Sequence, residues 1–210
     1  MEFSNSYELL INLKRMDLLK NKPKYWWPNV NSFEVVVGAI LTQNSKWENV
    51  EKSLSNLKNA INLELEELAS LDINFLASLI KPSNFYNQKA KRLIVLSKNI
   101  LRDFGSFETF KKEVDRKWLL SQKGIGFESA DAILCYTCMR KTMVVDAYTK
   151  RLLLKSGYEF ENYDEIKEWL ETGVLEHWDK LKNLYENDLN LCFARFHGKI
   201  VEFMKGKKWK

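Results

Sequence analysis

The residues able to do chemistry gather near the middle of the chain. Leu119-Leu120-Ser121-Gln122 leads into Lys123-Gly124-Ile125-Gly126, and Phe127-Glu128-Ser129-Ala130 follows. This order reads as a helix, a tight Gly-Ile-Gly hairpin and a second helix. After it the apolar run Met143-Val144-Val145 delivers one carboxylate, Asp146, to the start of a further helix at Ala147-Tyr148-Thr149. Two glycines flanking Ile125 let the backbone turn sharply and expose consecutive amide N–H groups at a helix N-terminus, where the dipole favours an anion. Ile125 would anchor the loop in the core while the amides face outward, and Lys123 adds a point charge. Such a loop can hold a phosphodiester without reading base sequence, and an acid beside it can stabilise developing positive charge or orient a water. Each feature also has a plainer reading. An ordinary helical hairpin uses Gly124 as the residue after a helix end and Gly126 for close packing, and an Asp before Ala147 is a good N-cap. For Asp146 the two roles are compatible, because a helix N-terminus keeps the carboxylate ionised.

Helices must position these groups. Phe33, Val36, Val37, Ile40 and Leu41 recur at helical spacing, and Asn31 with Glu34 three residues later reads as a capping box at the start. Ala90, Leu93, Ile94, Ser97 and Leu101 repeat the pattern up to the breaker Gly105. Glu165–Leu170 and Leu181–His197 read as two more helices, and Phe127–Met139 places Ala130, Ile133, Leu134 and Thr137 on one buried face. No repeat, Pro-rich linker or low-complexity block is visible. The expectation is an all-α chain in two lobes, residues 33–135 forming a central lobe and residues 1–32 with 136–210 the other, with the active site in the cleft between them. The crossing from Leu101 to Phe110 through Gly105 is one candidate connection.

Composition narrows the setting. The 210 residues are 45% hydrophobic, enough to fill a core, and the net charge of +5 suits a polyanionic partner without the extreme basicity of a purely electrostatic binder. The same basicity also fits a Lys-rich solvated surface. Three cysteines, no signal peptide and no long apolar run point to a reducing, cytoplasmic, nucleoid-associated setting with no membrane partner. Cys135 and Cys138 form a C-x-x-C inside an apolar helical segment that lacks further ligands, so they read as packing and no metal is expected.

The hairpin does not stand alone. Gly124-Ile-Gly126 with Ala130, Ile133, Leu134 and the following Val145-Asp146 resembles the helix-hairpin-helix DNA glycosylases of the endonuclease III superfamily. Ile40-Leu41-Thr42-Gln43-Asn44 is similar to that family's early helix ending in a Gln that enters the DNA. Phe85-Tyr86-Asn87-Gln88-Lys89-Ala90 resembles the segment whose first residue wedges into the duplex. The similarity runs from about Phe33 to Gly198. It implies double-stranded damaged DNA as the partner of a monomeric enzyme, with Gln43 and Phe85 at the vacated stack and Lys123, Gly124, Ile125 and Gly126 on the backbone. It also implies that Asp146 is the catalytic carboxylate.

Three departures from the family pattern sharpen this. Bifunctional members carry a nucleophilic Lys two positions after the second hairpin glycine, where this chain has Glu128, which cannot form the Schiff base that strand cleavage requires. The resemblance therefore implies hydrolysis of the N-glycosidic bond to an abasic site, with no lyase step. Many relatives also bind an iron-sulfur cluster through four Cys after a His-Gly pair. Here His197-Gly198 precedes no Cys at all, so no cluster is expected, packing by Ile200, Val201, Phe203 and Trp209 takes its place, and the hairpin leaves room for a monovalent cation. The lysines of the C-terminus, Lys205 among them, are open to several roles. Finally, Trp26, Trp27 and Trp47 flank the segment expected to enter the helix. Singly each fits a core; together they suggest a pocket that stacks a flipped, cationic base such as 3-methyladenine. The alternatives are a glycosylase for mismatched thymine or oxidised pyrimidines, and a non-catalytic DNA-binding module using the hairpin alone. The two histidines, His177 and His197, are not placed near the hairpin by sequence.

Overall fold

The computed structural model describes residues 1–206, so Trp209 lies outside the described residues. Among them there are thirteen α-helices and no strand. In chain order they are α1 (Ser6–Lys14), α2 (Phe33–Leu41), α3 (Trp47–Ala60), α4 (Leu65–Ser70), α5 (Ile73–Leu79), α6 (Tyr86–Phe104), α7 (Phe107–Glu113), α8 (Arg116–Ser121), α9 (Phe127–Ala132), α10 (Ala147–Lys155), α11 (Tyr163–Glu176), α12 (Trp178–Leu181) and α13 (Leu189–Gly206). The all-α expectation holds.

The chain forms two compact units, one of Met1–Pro28 with the segment from Met139 onward, the other Asn29–Cys138. In the first, α1 packs on α11 and α13, and α10 packs on α13. Its core is built from Leu9, Leu10, Leu13, Val145, Leu152, Leu170, Phe193, Phe196 and Ile200. In the second, α6 is the longest helix and packs on α4 and α5 through its buried face of Ala90, Leu93, Ile94, Ser97 and Ile100. That stripe is the expected one, except that Leu101 is half-buried and the face shifts to Ile100. Helix α2 is buried nearly all round, which is why its Val35-Val36-Val37 run sits in a helix rather than a strand.

Three sequence expectations are corrected, and a fourth holds with a change of winding. The cap of α2 falls on Ser32 rather than on the left-handed Asn31 (φ +62°), and it makes no side-chain bond to the helix, because the Ser32 hydroxyl donates to Asn29 O at 2.6 Å; Glu34 accepts from Asn29 Nδ2 at 2.9 Å and pairs with Lys58 at 3.2 Å. The span Leu181–His197 is not one helix, since Glu186 and Asn187 are left-handed and break the chain before α13 begins at Leu189. The turn through Gly105 connects α6 to α7 inside the second unit; the chain passes between units at Pro28–Asn29 and Cys138–Met139 instead. Finally, the helix after the hairpin continues past Ala132 as a wider π turn over Ile133–Thr137, so Ala130, Ile133, Leu134 and Thr137 are all buried, as expected.

Candidate active site

Asp146 owes its position to the segment before it. Met143, Val144 and Val145 are buried, so their backbone needs partners, and α11 supplies them. Met143 N–H donates to Glu171 Oε1 at 2.7 Å, and Val145 N–H donates to the Tyr163 hydroxyl at 3.2 Å. The apolar side chains fill the core, and the next residue emerges at the N-cap of α10. There Asp146 Oδ1 accepts from both the N–H and the hydroxyl of Thr149, at 2.7 and 2.8 Å. The other oxygen, Oδ2, lies 3.6 Å from His197 Nε2. Asp146 is only 9% exposed. Burial pushes its carboxyl up, but the nearby His197 imidazole and its charge and the two Thr149 donors outweigh this and hold it below the ordinary aspartate value. The cap and a chemical role therefore coexist on different oxygens. An ionised Oδ2 can face a developing cation or hold a water.

His197 sits on α13 and links Asp146 to an indole. The Trp26 ring meets the imidazole edge-on, with centroids 5.1 Å apart and planes at 80°. Trp26 has a left-handed backbone (φ +68°), and its Nε1–H donates to Glu202 Oε1 at 3.1 Å. Glu202 is in turn approached by Lys22 at 3.7 Å and by Lys205 at 3.8 Å, which places Lys205 beside the carboxylate that fixes Trp26. Gly198 completes the arrangement, for a Cβ there would stand 2.4 Å from Trp26 Cγ. Trp27 is 8% exposed and lies perpendicular to Trp26, at 6.2 Å and 86°. These two indoles cannot form a pair of parallel jaws, so a base stacked on one needs its second plane from elsewhere. His197, Glu202 and Gly198 carry this geometry, and none was singled out for it from sequence. A glycine inside an apolar helix pattern, next to a His, was the available signal.

The remaining sites belong to the second unit. Helices α8 and α9 of the hairpin are braced by Arg116, whose Nε and Nη2 donate to the two oxygens of the fully buried Asp131 at 2.9 and 3.1 Å. Gly124 has φ +87°, a conformation L side chains rarely adopt, whereas Gly126 is extended and a Cβ on it would meet nothing within 4 Å. Close packing within the chain is thus not the reason for Gly126. Ile125 is buried as expected, but its N–H donates to Gln122 O at 3.1 Å, so that amide is turned inward rather than outward. Lys123 and Glu128 are exposed, and no side chain caps α9.

Gln43 lies against the hairpin. Its Nε2 donates to Gly124 O at 2.9 Å and to Ser129 Oγ at 3.0 Å, and its Oε1 accepts from Arg92 Nη1 at 3.0 Å. To enter a duplex it must exchange these bonds. Phe85 is already presented: it is 62% exposed, left-handed (φ +46°) and stands at the N-terminus of α6. The two segments are tied by Lys89, a buried lysine whose Nζ donates to Leu41 O at the end of α2 and to Ser83 O in the loop before Phe85. Burial, with the charge of Arg92 adding to it, pulls that ammonium down to about 8. Trp47 is the first residue of α3 and half-buried.

The iron-sulfur cluster of many relatives does not fit these residues, since it needs four thiolates and the chain has three cysteines in all. Burial pushes the Cys192 thiol up to about 12, so it is a packing group. Among the described residues no cluster of His, Cys, Asp and Glu could hold a metal ion, and no helix is long and apolar enough to cross a membrane.

Residues 37–174 match the family model of the HhH-GPD superfamily base excision DNA repair proteins. A candidate DNA repair glycosylase of Methanocaldococcus jannaschii is 40% identical over 208 residues, which covers 96% of this chain and 89% of that protein. Endonuclease III of Thermotoga maritima is 27% identical over 172 residues, covering 81% of this chain and 72% of the enzyme. Among solved structures, the H. pylori 3-methyladenine DNA glycosylase MagIII bound to 1,N6-ethenoadenine superposes with a TM-score of 0.95 at 54% identity, covering 99% of this chain and all of that one. As a DNA glycosylase, the chain belongs to the HhH-GPD superfamily of base excision DNA repair proteins.

Proposed function

We propose that the chain is a monofunctional glycosylase that removes alkylated purines of the 3-methyladenine kind from double-stranded DNA, leaving an abasic site without breaking the strand. The observation that carries this reading is the divided carboxylate of Asp146. Its Oδ1 is fixed by Thr149, and its Oδ2 is kept ionised beside His197. An alkylated purine with a positive charge is already a good leaving group, so no strong general acid is required. Bond cleavage leaves an oxocarbenium-like sugar; the ionised Oδ2 stabilises it and orients the water that attacks C1′. Glu128 at the position where a lyase needs Lys is a carboxylate that cannot carry a Schiff base.

Trp26, Trp27 and Trp47 are assigned to the base pocket, where an indole face attracts a cationic ring more than a neutral one. The likeness to an enzyme named for 3-methyladenine supports the same choice of base. Lys123, Gly124, Ile125 and Gly126 hold the DNA backbone, and the open space at Gly126 is where a phosphate approaches. Phe85 wedges into the stack and Gln43 fills it after leaving the hairpin. Duplex oligonucleotides carrying 3-methyladenine, other alkylpurines, an oxidised pyrimidine or a T:G mismatch test this when released base and strand breaks are assayed separately. Release of alkylpurine without scission is expected. Release of thymine or oxidised pyrimidine alone would overturn the choice of base, breaks without heat or added base would overturn the monofunctional reading, and salt-sensitive binding with no release would leave only a DNA-binding module.

A further inference from the structure

The first unit holds a second charged group, on the side of α13 away from Asp146. Arg195 and Lys199 are four residues apart and share a helix face, while His197, midway between them, projects to the other side. With Lys14, Lys24 and Tyr185 they line a cavity of about 270 Å³. Lys199 is 5% exposed, and its ammonium lies over the Tyr185 ring, 5.8 Å from the centroid, with no hydrogen bond or ion pair to a described residue. Tyr185 is 2% exposed and its hydroxyl has no hydrogen-bond partner among the described residues. Two carboxylates, Asp17 and Glu186, also line the space, against four cations. Glu186 is engaged by Lys24, and Arg195 Nη1 donates to the Lys24 carbonyl at 2.9 Å, which fixes the guanidinium at the cavity wall.

An ammonium on a side chain this deeply buried, with no acceptor among the described residues and at the wall of one cationic cavity, gains from an anion brought beside it. Burial, then the neighbouring charges of Arg195 and Lys14, pull the Lys199 ammonium down to about 8, so an anion beside it would relieve both effects. We propose that this cavity binds a phosphate group, with Lys199 Nζ donating to its oxygens and Arg195 and Lys14 neutralising its charge. A phosphate offers several acceptor oxygens to donors converging from different sides, and it matches the fork of an arginine. The volume leaves room for a small attached group. The phosphate comes either from a small phosphorylated molecule or from a DNA backbone that reaches this face.

Titration of the full chain with inorganic phosphate and with pyrophosphate, at constant ionic strength, tests this by calorimetry and by Tm. For a small-molecule source, saturable binding and a Tm rising with ligand concentration are expected, both abolished in Lys199→Met. That variant exchanges a buried charge for an apolar chain of similar size, so without phosphate its Tm should equal or exceed that of the wild type. Arg195→Gln removes the cation at the cavity wall and should weaken binding about tenfold, and it serves if Lys199→Met fails to fold. For a DNA source, the small anions do not saturate the site, and Lys199→Met lowers the slope of log affinity for undamaged duplex against log salt by about one. Binding by both variants equal to that of the wild type overturns the proposal, as does the absence of saturable binding together with an unchanged salt slope.

Discussion

Gly198→Ala isolates the contact that joins α13 to Trp26. In a helix interior this change normally stabilises by about 1 kcal/mol, because alanine is the better helix former. Here the new Cβ would stand 2.4 Å from Trp26 Cγ and 2.7 Å from its Cβ and Cδ2, where ordinary contact begins at 3.4 Å. These atoms are the root of the indole and not its flexible end, so the whole residue must retreat by about 1 Å, against its bond to Glu202 and its packing on His197. Overpacking of this kind costs about 1–3 kcal/mol, which leaves a net loss of about 0–2 kcal/mol after the helix gain. At about 2–4 °C per kcal/mol in a chain of this size, Tm should fall by no more than about 8 °C. Excision should suffer more. A misplacement of about 1 Å near the reacting centre costs about 100-fold in rate, so single-turnover release of 3-methyladenine should drop by roughly that factor in a protein that is still folded. Gly206→Ala, at the end of the same helix with nothing within 4 Å, is the control and should excise at the wild-type rate. A Gly198→Ala protein that gains stability and excises base normally would refute both the rigidity of the contact and the place of Trp26 in the pocket.

Asp146→Asn should fold with little loss, since Asn caps a helix about as well as Asp, while excision falls about 10²- to 10⁴-fold with damaged-DNA binding retained; an unchanged rate removes the carboxylate from the mechanism. Because the Asp146 carboxyl is held below its ordinary value of 3.8, its contribution to stability is present above that value and is lost as pH falls through the lower folded one. The acid limb of the excision profile should accordingly lie below 3.8 and move upward in His197→Gln; a limb that stays in place would remove His197 from the control of Asp146. Phe85→Ala, at a residue 62% exposed, should leave stability within about 0.5 kcal/mol yet slow excision about tenfold or more, and equal rates would exclude a wedge. Gly126→Ala should leave Tm unchanged and weaken binding to damaged and undamaged duplex alike, measured by anisotropy at fixed salt; unaltered affinity would mean that no phosphate comes close there.

Helices were legible where burial imposes a period. Phe33–Leu41 and the stripe on α6 read directly because each must hide an apolar face, and Asp146 could be placed because an N-cap is a local event. What escaped the sequence depends on distant packing. His197 follows Asp146 by 51 positions and meets it only because α13 lies on α10. The capping box at Asn31 fails for a local reason that the pattern does not encode: Asn tolerates the left-handed conformation it adopts, the cap falls one residue later on Ser32, and the Asn31 Oδ1 accepts from Lys111 Nζ at 3.1 Å. The break at Glu186-Asn187 carries no Gly or Pro, and an apolar pattern on both sides masks it. The Gln43 motif points to DNA, while in the free protein its amide makes three hydrogen bonds, to Gly124, Ser129 and Arg92.

The three glycines around the site separate what the fold demands from what a partner demands. Gly124 answers to the chain itself, because only glycine takes φ +87° there without strain. Gly198 also answers to the chain, through the indole that occupies the place of its Cβ. Gly126 answers to neither: its backbone is extended and its missing side chain would point into open space. A residue type that nothing inside the molecule requires, at the mouth of a helix whose amides have no side-chain cap, is the observation behind the proposed phosphodiester contact there. The hairpin triplet is therefore two different statements, a turn at its first glycine and a contact surface at its second.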